Sequence, residues 1–174
     1  MATAPDGQSV RGLDQETLAR RTVAILEEVG GQPVPDVPLV ETFRDQVAVR
    51  IPASHSFAVL ERLRDDEGLR FDLLVDVTCV HWPHRPAPLG AFDVVYHLVS
   101  IQEGHRVRLK VACPDPDEGV DSAVPLWESA NLMEREARDM FGVTFRGHPD
   151  PRRILMSDDF DGWPLRKDFP YRGH

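Results

Sequence analysis

The spacing of apolar positions changes several times along this chain. Between Gln15 and Val29 they recur every three or four residues. Leu18, Ile25, Leu26 and Val29 share a face with Thr22, Asp14 stands where an N-cap belongs, and Gly30-Gly31 supplies a stop. That spacing predicts a helix. Three prolines between Gln32 and Pro38 predict a linker. From Gln46 to Ile51 the period drops to two, with Val47, Val49 and Ile51 inward, as in a strand. Ser54 is expected to cap a second helix, about residues 55–66, with Phe57, Leu60 and Leu63 on its apolar side and Gly68 after it. A long alternation then puts Phe71, Leu73, Val75, Val77 and Cys79 on one face, and Asp72, Asp76 and Thr78 on the other. The loop HWPHRPAPLG breaks it. A third strand is expected from Phe92 to Ile101. A turn at Glu103-Gly104 leads to a fourth, with Val107, Leu109, Val111 and Cys113 inward and Arg106, Arg108 and Lys110 outward.

The order helix, strand, helix, three strands, helix predicts an α+β fold. It implies a mixed or antiparallel sheet of about four strands, with helices packed on one face and an extended C-terminal arm. The other face of such a sheet is polar or free for a partner. The division read from the pattern is a disordered lead-in over 1–12, the α+β body over 13–145 and the arm over 146–174.

The last helix is carried by WESANLMEREARDMFGV. With Met133 at the centre and about 100° per residue, Ala137, Met140, Phe141 and Leu132 fall in one arc. Glu136 falls inside that arc, whereas Arg135 and Arg138 fall outside it. Glu134 and Arg138 have the spacing of a favourable surface pair, and Gly142 fits a left-handed C-cap. A carboxylate on an apolar face needs a cation, several donors or a proton. Arg152 and Arg153 follow in a chain that Gly147, Pro149 and Pro151 let turn back. One of them is expected to reach Glu136 or Asp139; otherwise Glu136 snorkels to the rim. The arm carries Ile154, Leu155, Met156, Phe160, Trp163, Leu165 and Phe169 with no regular period, and Pro164 and Pro170 interrupt it. Burying each large apolar group is worth roughly 1.5–3 kcal/mol. The arm therefore suits a surface, either a partner's or the open face of its own sheet.

Composition narrows the chemistry. The chain has 174 residues, 41% hydrophobic and 28% charged, which fits one globular domain. No apolar run is long enough to span a membrane, and the N-terminus does not read as a secretory signal. The formal net charge of −9 argues against non-specific nucleic-acid binding. From Arg146 onward six Lys/Arg face five Asp, so the rest of the chain carries the negative charge. Cys79 and Cys113 read as buried free thiols, with a disulfide possible only if their strands pair there. They cannot supply the four thiolates of an iron–sulfur cluster. His81 and His84 form H-x-x-H in a proline-rich loop with no third ligand nearby, so no metal is expected. GxSxG, Walker and GxGxxG motifs are absent. His148, near a candidate buried carboxylate, either titrates near neutral pH or fixes a turn through hydrogen bonds. A small enzyme using Glu136 and His148 as acid and base is one reading to test.

Three blocks carry a resemblance. They are Glu134-Arg135-Glu136-x-x-Asp139-Met140-Phe141-Gly142, then His148 with Arg152-Arg153-Ile154-Leu155, and finally Trp163-Pro164-Leu165-Arg166-Lys167-Asp168-Phe169-Pro170. Together they resemble the signature of the 30 kDa subunit family of respiratory complex I, whose bacterial members are the C-type subunits of NADH–quinone oxidoreductase. The upstream body agrees in order and length. The resemblance implies a cofactor-free structural subunit of the peripheral arm, on the cytoplasmic side of the cell membrane. It implies packing against the large quinone-pocket subunit (49 kDa, D-type), near the B-type subunit that carries the terminal cluster. The complex itself uses FMN, iron–sulfur clusters, NADH and quinone, and couples electron transfer to proton pumping. Leu132 and Met133 stand where the family usually has an aromatic residue, and Pro151 where it has leucine. The equivalent subunit of a membrane-bound hydrogenase, or of a complex with another electron donor, is the alternative.

Overall fold

Asp14 caps the first helix: its carboxylate accepts the Thr17 N–H at 2.9 Å. Helix α1 then runs Gln15–Glu28 and buries Leu18, Ala19, Thr22, Ile25 and Leu26. The computed structural model describes residues 12–34, 37–44 and 46–170. The expected lead-in lies outside these residues, Gly12 excepted.

A five-stranded sheet follows, one strand more than expected. Val40–Phe43 forms β1, an edge strand antiparallel to β2 (Gln46–Pro52). Its burial does not alternate, so it leaves no period-two signal in the sequence. A 3₁₀ turn at Ala53–His55 then leads into α2, Ser56–Asp65. Ser54 is not its cap, because that hydroxyl meets His55 Nδ1 instead; the Ser56 hydroxyl donates to the Ala53 carbonyl at 2.9 Å. The tight turn moves the start of the α-helix past Ser54. Helix α2 buries Val59, Leu60 and Leu63, while Phe57 is only half-buried.

Strand β3 (Leu73–His81) departs from simple alternation. Its register slips between Leu74 and Asp76, so Leu74 faces inward before the slip, and Val77, Cys79 and His81 after it. Leu73 and Val75, expected inside, are exposed. One extra residue in a strand exchanges the faces on either side of it. Strands β4 (Phe92–Val99) and β5 (Arg106–Cys113) complete an antiparallel meander with β3, and β5 lies parallel to β2. The order is β1-β2-β5-β4-β3. Val49, Ile51, Tyr96, Leu98, Leu109 and Val111 fill the core on the inward face. Cys79 and Cys113 are free and buried there, and burial pushes both thiols up, Cys113 to about 11.

The outward face carries more pairing than a solvated row. Lys110 Nζ donates to Glu41 at 2.5 Å, and Arg108 donates to the Gln46 side-chain oxygen. Asp93, buried in this face, accepts from Arg50 and Arg85, each at 2.7 Å, and from the Trp82 indole. Two guanidinium groups supply what a desolvated carboxylate requires.

Helix α3 spans Ala130–Phe141 and packs on β3. The two-residue strands β6 (Val120–Asp121) and β7 (Phe145–Arg146) pair in parallel beside it. Residues 147–170 hold no helix or strand.

Candidate functional site

Helix α3 is buried on two sides, and this decides which of its carboxylates matter. Ala130, Ala137, Met140 and Phe141 face the sheet. Leu132 is 59% exposed and Glu136 is exposed, so neither lies on the buried face expected of them. The buried face centres near Ala137 rather than Met133, which turns Glu134 inward. Asp139 lies on the opposite side, where the chain after Arg152 covers it.

Asp139 is the anchor of that chain. Its Oδ2 accepts three consecutive main-chain N–H groups, from Ile154 (3.1 Å), Leu155 (2.8 Å) and Met156 (2.9 Å). Arg153 Nη1 donates to Oδ1 at 2.6 Å. The arginine thus folds back as expected, onto Asp139 and not onto Glu136. Burial works to raise this carboxyl group's pKa, but the three N–H donors and Arg153 outweigh it and hold the pKa below the usual value. Arg135, read as solvated, binds the carbonyls of Arg152 and Arg153 at 3.0 and 3.1 Å. Arg152 itself is exposed and pairs with Asp150.

The rest of the tail closes over the C-terminus of α3. Leu165 N–H donates to the Met140 carbonyl at 3.1 Å, and Arg166 Nε to the Phe141 carbonyl at 2.6 Å. Helix ends leave such carbonyls without intrahelical partners. The Arg166 guanidinium lies 5.0 Å from the Phe92 ring centre and 5.6 Å from that of Trp163. Arg153 takes the next place, 4.8 Å from Trp163 and 6.0 Å from Phe160. Phe160 in turn stacks on Phe169, and His81 stacks on Phe92. Aromatic and cationic groups therefore run as one column from the end of β3 into the tail. The Lys167 N–H donates to His81 Nδ1 at 3.0 Å, and the Lys167 ammonium lies over Trp82. His81, read as a loop residue, joins this assembly because β3 extends to it.

Gly142 sits at the junction, with φ 73°. A Cβ there would stand 2.5 Å from Trp163 and 2.6 Å from Arg166. Gly142→Ala is expected to cost about 1–2 kcal/mol for the left-handed backbone alone, and more by displacing Trp163. Chemical denaturation measures the total. A protease cut within 153–166 in the variant, and not in the parent, locates the damage.

Glu134 organises the other side. Its Oε2 accepts from the Ser122 hydroxyl and its Oε1 from the Ala123 N–H, both at 2.6 Å, so it does not pair with Arg138. Burial pushes its carboxyl up to about 7, against those two hydrogen bonds. His148 Nε2 lies 3.9 Å from this carboxylate. The Asp150 N–H donates to His148 Nδ1 at 3.0 Å, which leaves Nε2 as the protonated nitrogen, directed at the Asn131 carbonyl at 3.0 Å. Both ring nitrogens are used by the main chain, so His148 fixes the turn. Glu136 and His148 do not meet as an acid–base pair.

What faces outward mixes apolar groups with charges of both signs, since Asp158, Asp159, Asp161 and Asp168 are exposed as well as the basic residues. Ile154, Leu155 and Leu165 are exposed on the tail, and Leu132 occupies nearly the same side of α3 as Asp139, two turns away. Arg152 and Lys167 are exposed beside them. Among the described residues, no three His, Cys, Asp or Glu side chains gather where they could hold a metal ion. No helix among them is long and apolar enough to cross a membrane.

Comparison with known proteins gives a consistent result. Residues 49–174 match the family described as respiratory-chain NADH dehydrogenase, 30 Kd subunit. The chain is 48% identical to the C-type subunit of NADH-quinone oxidoreductase from Hyphomonas neptunium over 69% of its own length and 57% of the relative's. It is 46% identical to that of Citrifermentans bemidjiense, over 75% and 78%. It thus spans little more than half of the first relative and over three quarters of the second. Among solved structures, the trypsin-resistant fragment (1-134) of Nqo5 superposes with a TM-score of 0.59 at 28% identity, covering 79% of this chain and 99% of the fragment. A chain of the membrane-bound sulfane sulfur reductase, an archaeal respiratory membrane complex, superposes with a TM-score of 0.66 at 26% identity, covering 89% and 86%.

Proposed function

Because the chain belongs to the respiratory-chain NADH dehydrogenase 30 kDa subunit family, we propose that it is a structural subunit of the peripheral arm of a proton-translocating NADH:quinone oxidoreductase. Electrons pass from NADH through FMN and iron–sulfur centres to quinone in other subunits, and this chain braces the quinone-binding module. It contributes no catalytic centre and holds no cofactor. Residues 13–145 form the body and 146–174 the docking arm, which lies on the quinone-pocket subunit near the subunit of the terminal cluster. The assembly sits on the cytoplasmic side of the cell membrane.

The observation that carries this reading is the tail. It is pinned to Asp139 yet directs Ile154, Leu155 and Leu165 outward. Main-chain anchoring with outward apolar side chains suits a preformed interface. The test is purification of the affinity-tagged chain from membranes. The quinone-pocket and terminal-cluster subunits should accompany it, with NADH:quinone reductase activity in the same fraction. Recovery of the chain alone would overturn the reading.

A second reading, the equivalent subunit of a complex with another electron donor, is favoured by the superposition on the sulfane sulfur reductase chain. The same purification decides between them. NADH-oxidising activity in the isolated complex supports the first reading, and its absence from an intact complex supports the second.

A further inference from the structure

We propose a second docking surface, at one end of the outward sheet face, for an acidic, apolar-flanked segment of a neighbouring protein subunit. The proposal rests on the subunit reading above. Register pairs Phe43 with Gln46 and aligns Arg106, Val99 and Leu73, and Gln46 and Arg106 directly precede the Val47–Val107 pair, so the five residues form one row across the sheet. Arg108 and His97 stand beside each other in the next row. The row's ends are apolar and open: Phe43 is 71% exposed, Leu73 is 38% exposed, and Val75 at the bulge is 47% exposed. Arg106, exposed, and Arg108 lie between them.

Gln46, Val75, His97, Val99, Arg106 and Arg108 line a shallow cavity of about 90 Å³ at this point. Nε of Arg108 is buried and has no hydrogen-bond partner among the described residues. No solvent reaches that nitrogen, so a carboxylate from outside would meet the exposed guanidinium of Arg106, two positions along the same strand. Among the described residues, Glu41 is taken by Lys110 and Arg50, Asp93 by Arg50 and Arg85, and Asp76 lies beyond His97. The chemistry favours a protein over other anions. Three guanidinium groups, Arg106, Arg108 and the Arg44 that lies over the Phe43 ring, are too few for a nucleic acid or an anionic membrane, which need longer basic tracts. Apolar flanks around arginine match the core of a protein interface.

The experiment replaces Phe43, which is solvent-facing, with a photoreactive phenylalanine in the tagged chain of the assembled complex. A second chain carries the same group at Leu165 to report on the tail. The Phe43 probe should cross-link to another subunit through a peptide containing Asp or Glu. Arg106→Glu should lower that yield about tenfold or more. Arg106 is exposed, so the unfolding temperature of the isolated chain should not change. Cross-links only to lipid or to a second copy, or a yield indifferent to Arg106→Glu, would overturn the proposal. If Leu165 links to neighbours and Phe43 does not, this inference fails and the subunit reading stands. If neither links and the chain is recovered alone, both fail.

Discussion

Asp139→Ala is expected to destabilise the chain by about 3–5 kcal/mol, the cost of breaking a buried ion pair from one side. The substitution removes the acceptor of three main-chain N–H groups and strands Arg153, whose side chain is only 19% exposed. Hydrogen exchange should accelerate first at Ile154, Leu155 and Met156, because those amides lose their acceptor. Exchanging the charges, Asp139→Arg with Arg153→Asp, should recover little. A simple ion pair tolerates reversal, but three converging N–H dipoles demand an anion at position 139. Near-complete recovery in a double-mutant cycle would show that Arg153 alone holds the carboxylate. The pH dependence has a definite sign. The folded carboxyl has the lower pKa, so its contribution is present above the ordinary value of 3.8 and is lost as pH falls through the folded value. Asp139→Ala should lack this acid-limb loss.

Glu134→Gln should change the opposite limb. The folded carboxyl titrates near 7 instead of 4.5, so it holds its proton more tightly in the folded chain. Its contribution favours folding at low pH and declines as pH rises from about 4.5 through about 7. The full difference is about 3 kcal/mol at 1.36 kcal/mol per pH unit. Glutamine is neutral throughout. Its amide oxygen can accept from Ala123 N–H, and its NH₂ can donate to the Ser122 oxygen. The variant should match the parent near pH 4 and exceed it near pH 8, as read from urea midpoints at a series of pH values. Parallel pH profiles for the two proteins would show that Glu134 is ionised in the fold at all these values.

Both anchors were only partly legible in the sequence. The two arginines after a helix bearing acids pointed to a fold-back contact. Which acid receives it did not follow, because the Asp139 site is built from main-chain N–H groups that no side chain signals. Drawing the helix with one buried face favoured Glu136, whereas α3 is covered by the sheet on one side and the tail on the other. Helix α1 and strand β5 were readable because their periods are unbroken over many residues. Strand β3 misled at Val75, where one extra residue reverses the alternation. Arg50 and Asp93 gave no warning either. Their burial depends on partners drawn from β2, β4 and the loop of Arg85, far apart in sequence.

The column from His81 through Arg166, Trp163 and Arg153 to Phe160 bears on how a neighbour would meet this tail. A segment that orders only on contact gives up roughly 1–2 kcal/mol of backbone entropy per residue at that moment. Here the ordering is completed when the chain folds, so an encounter joins two rigid shapes. Association should show a heat-capacity change no larger than the occluded apolar area requires, and mutations in the patch should act through the lifetime of the complex more than through its rate of formation.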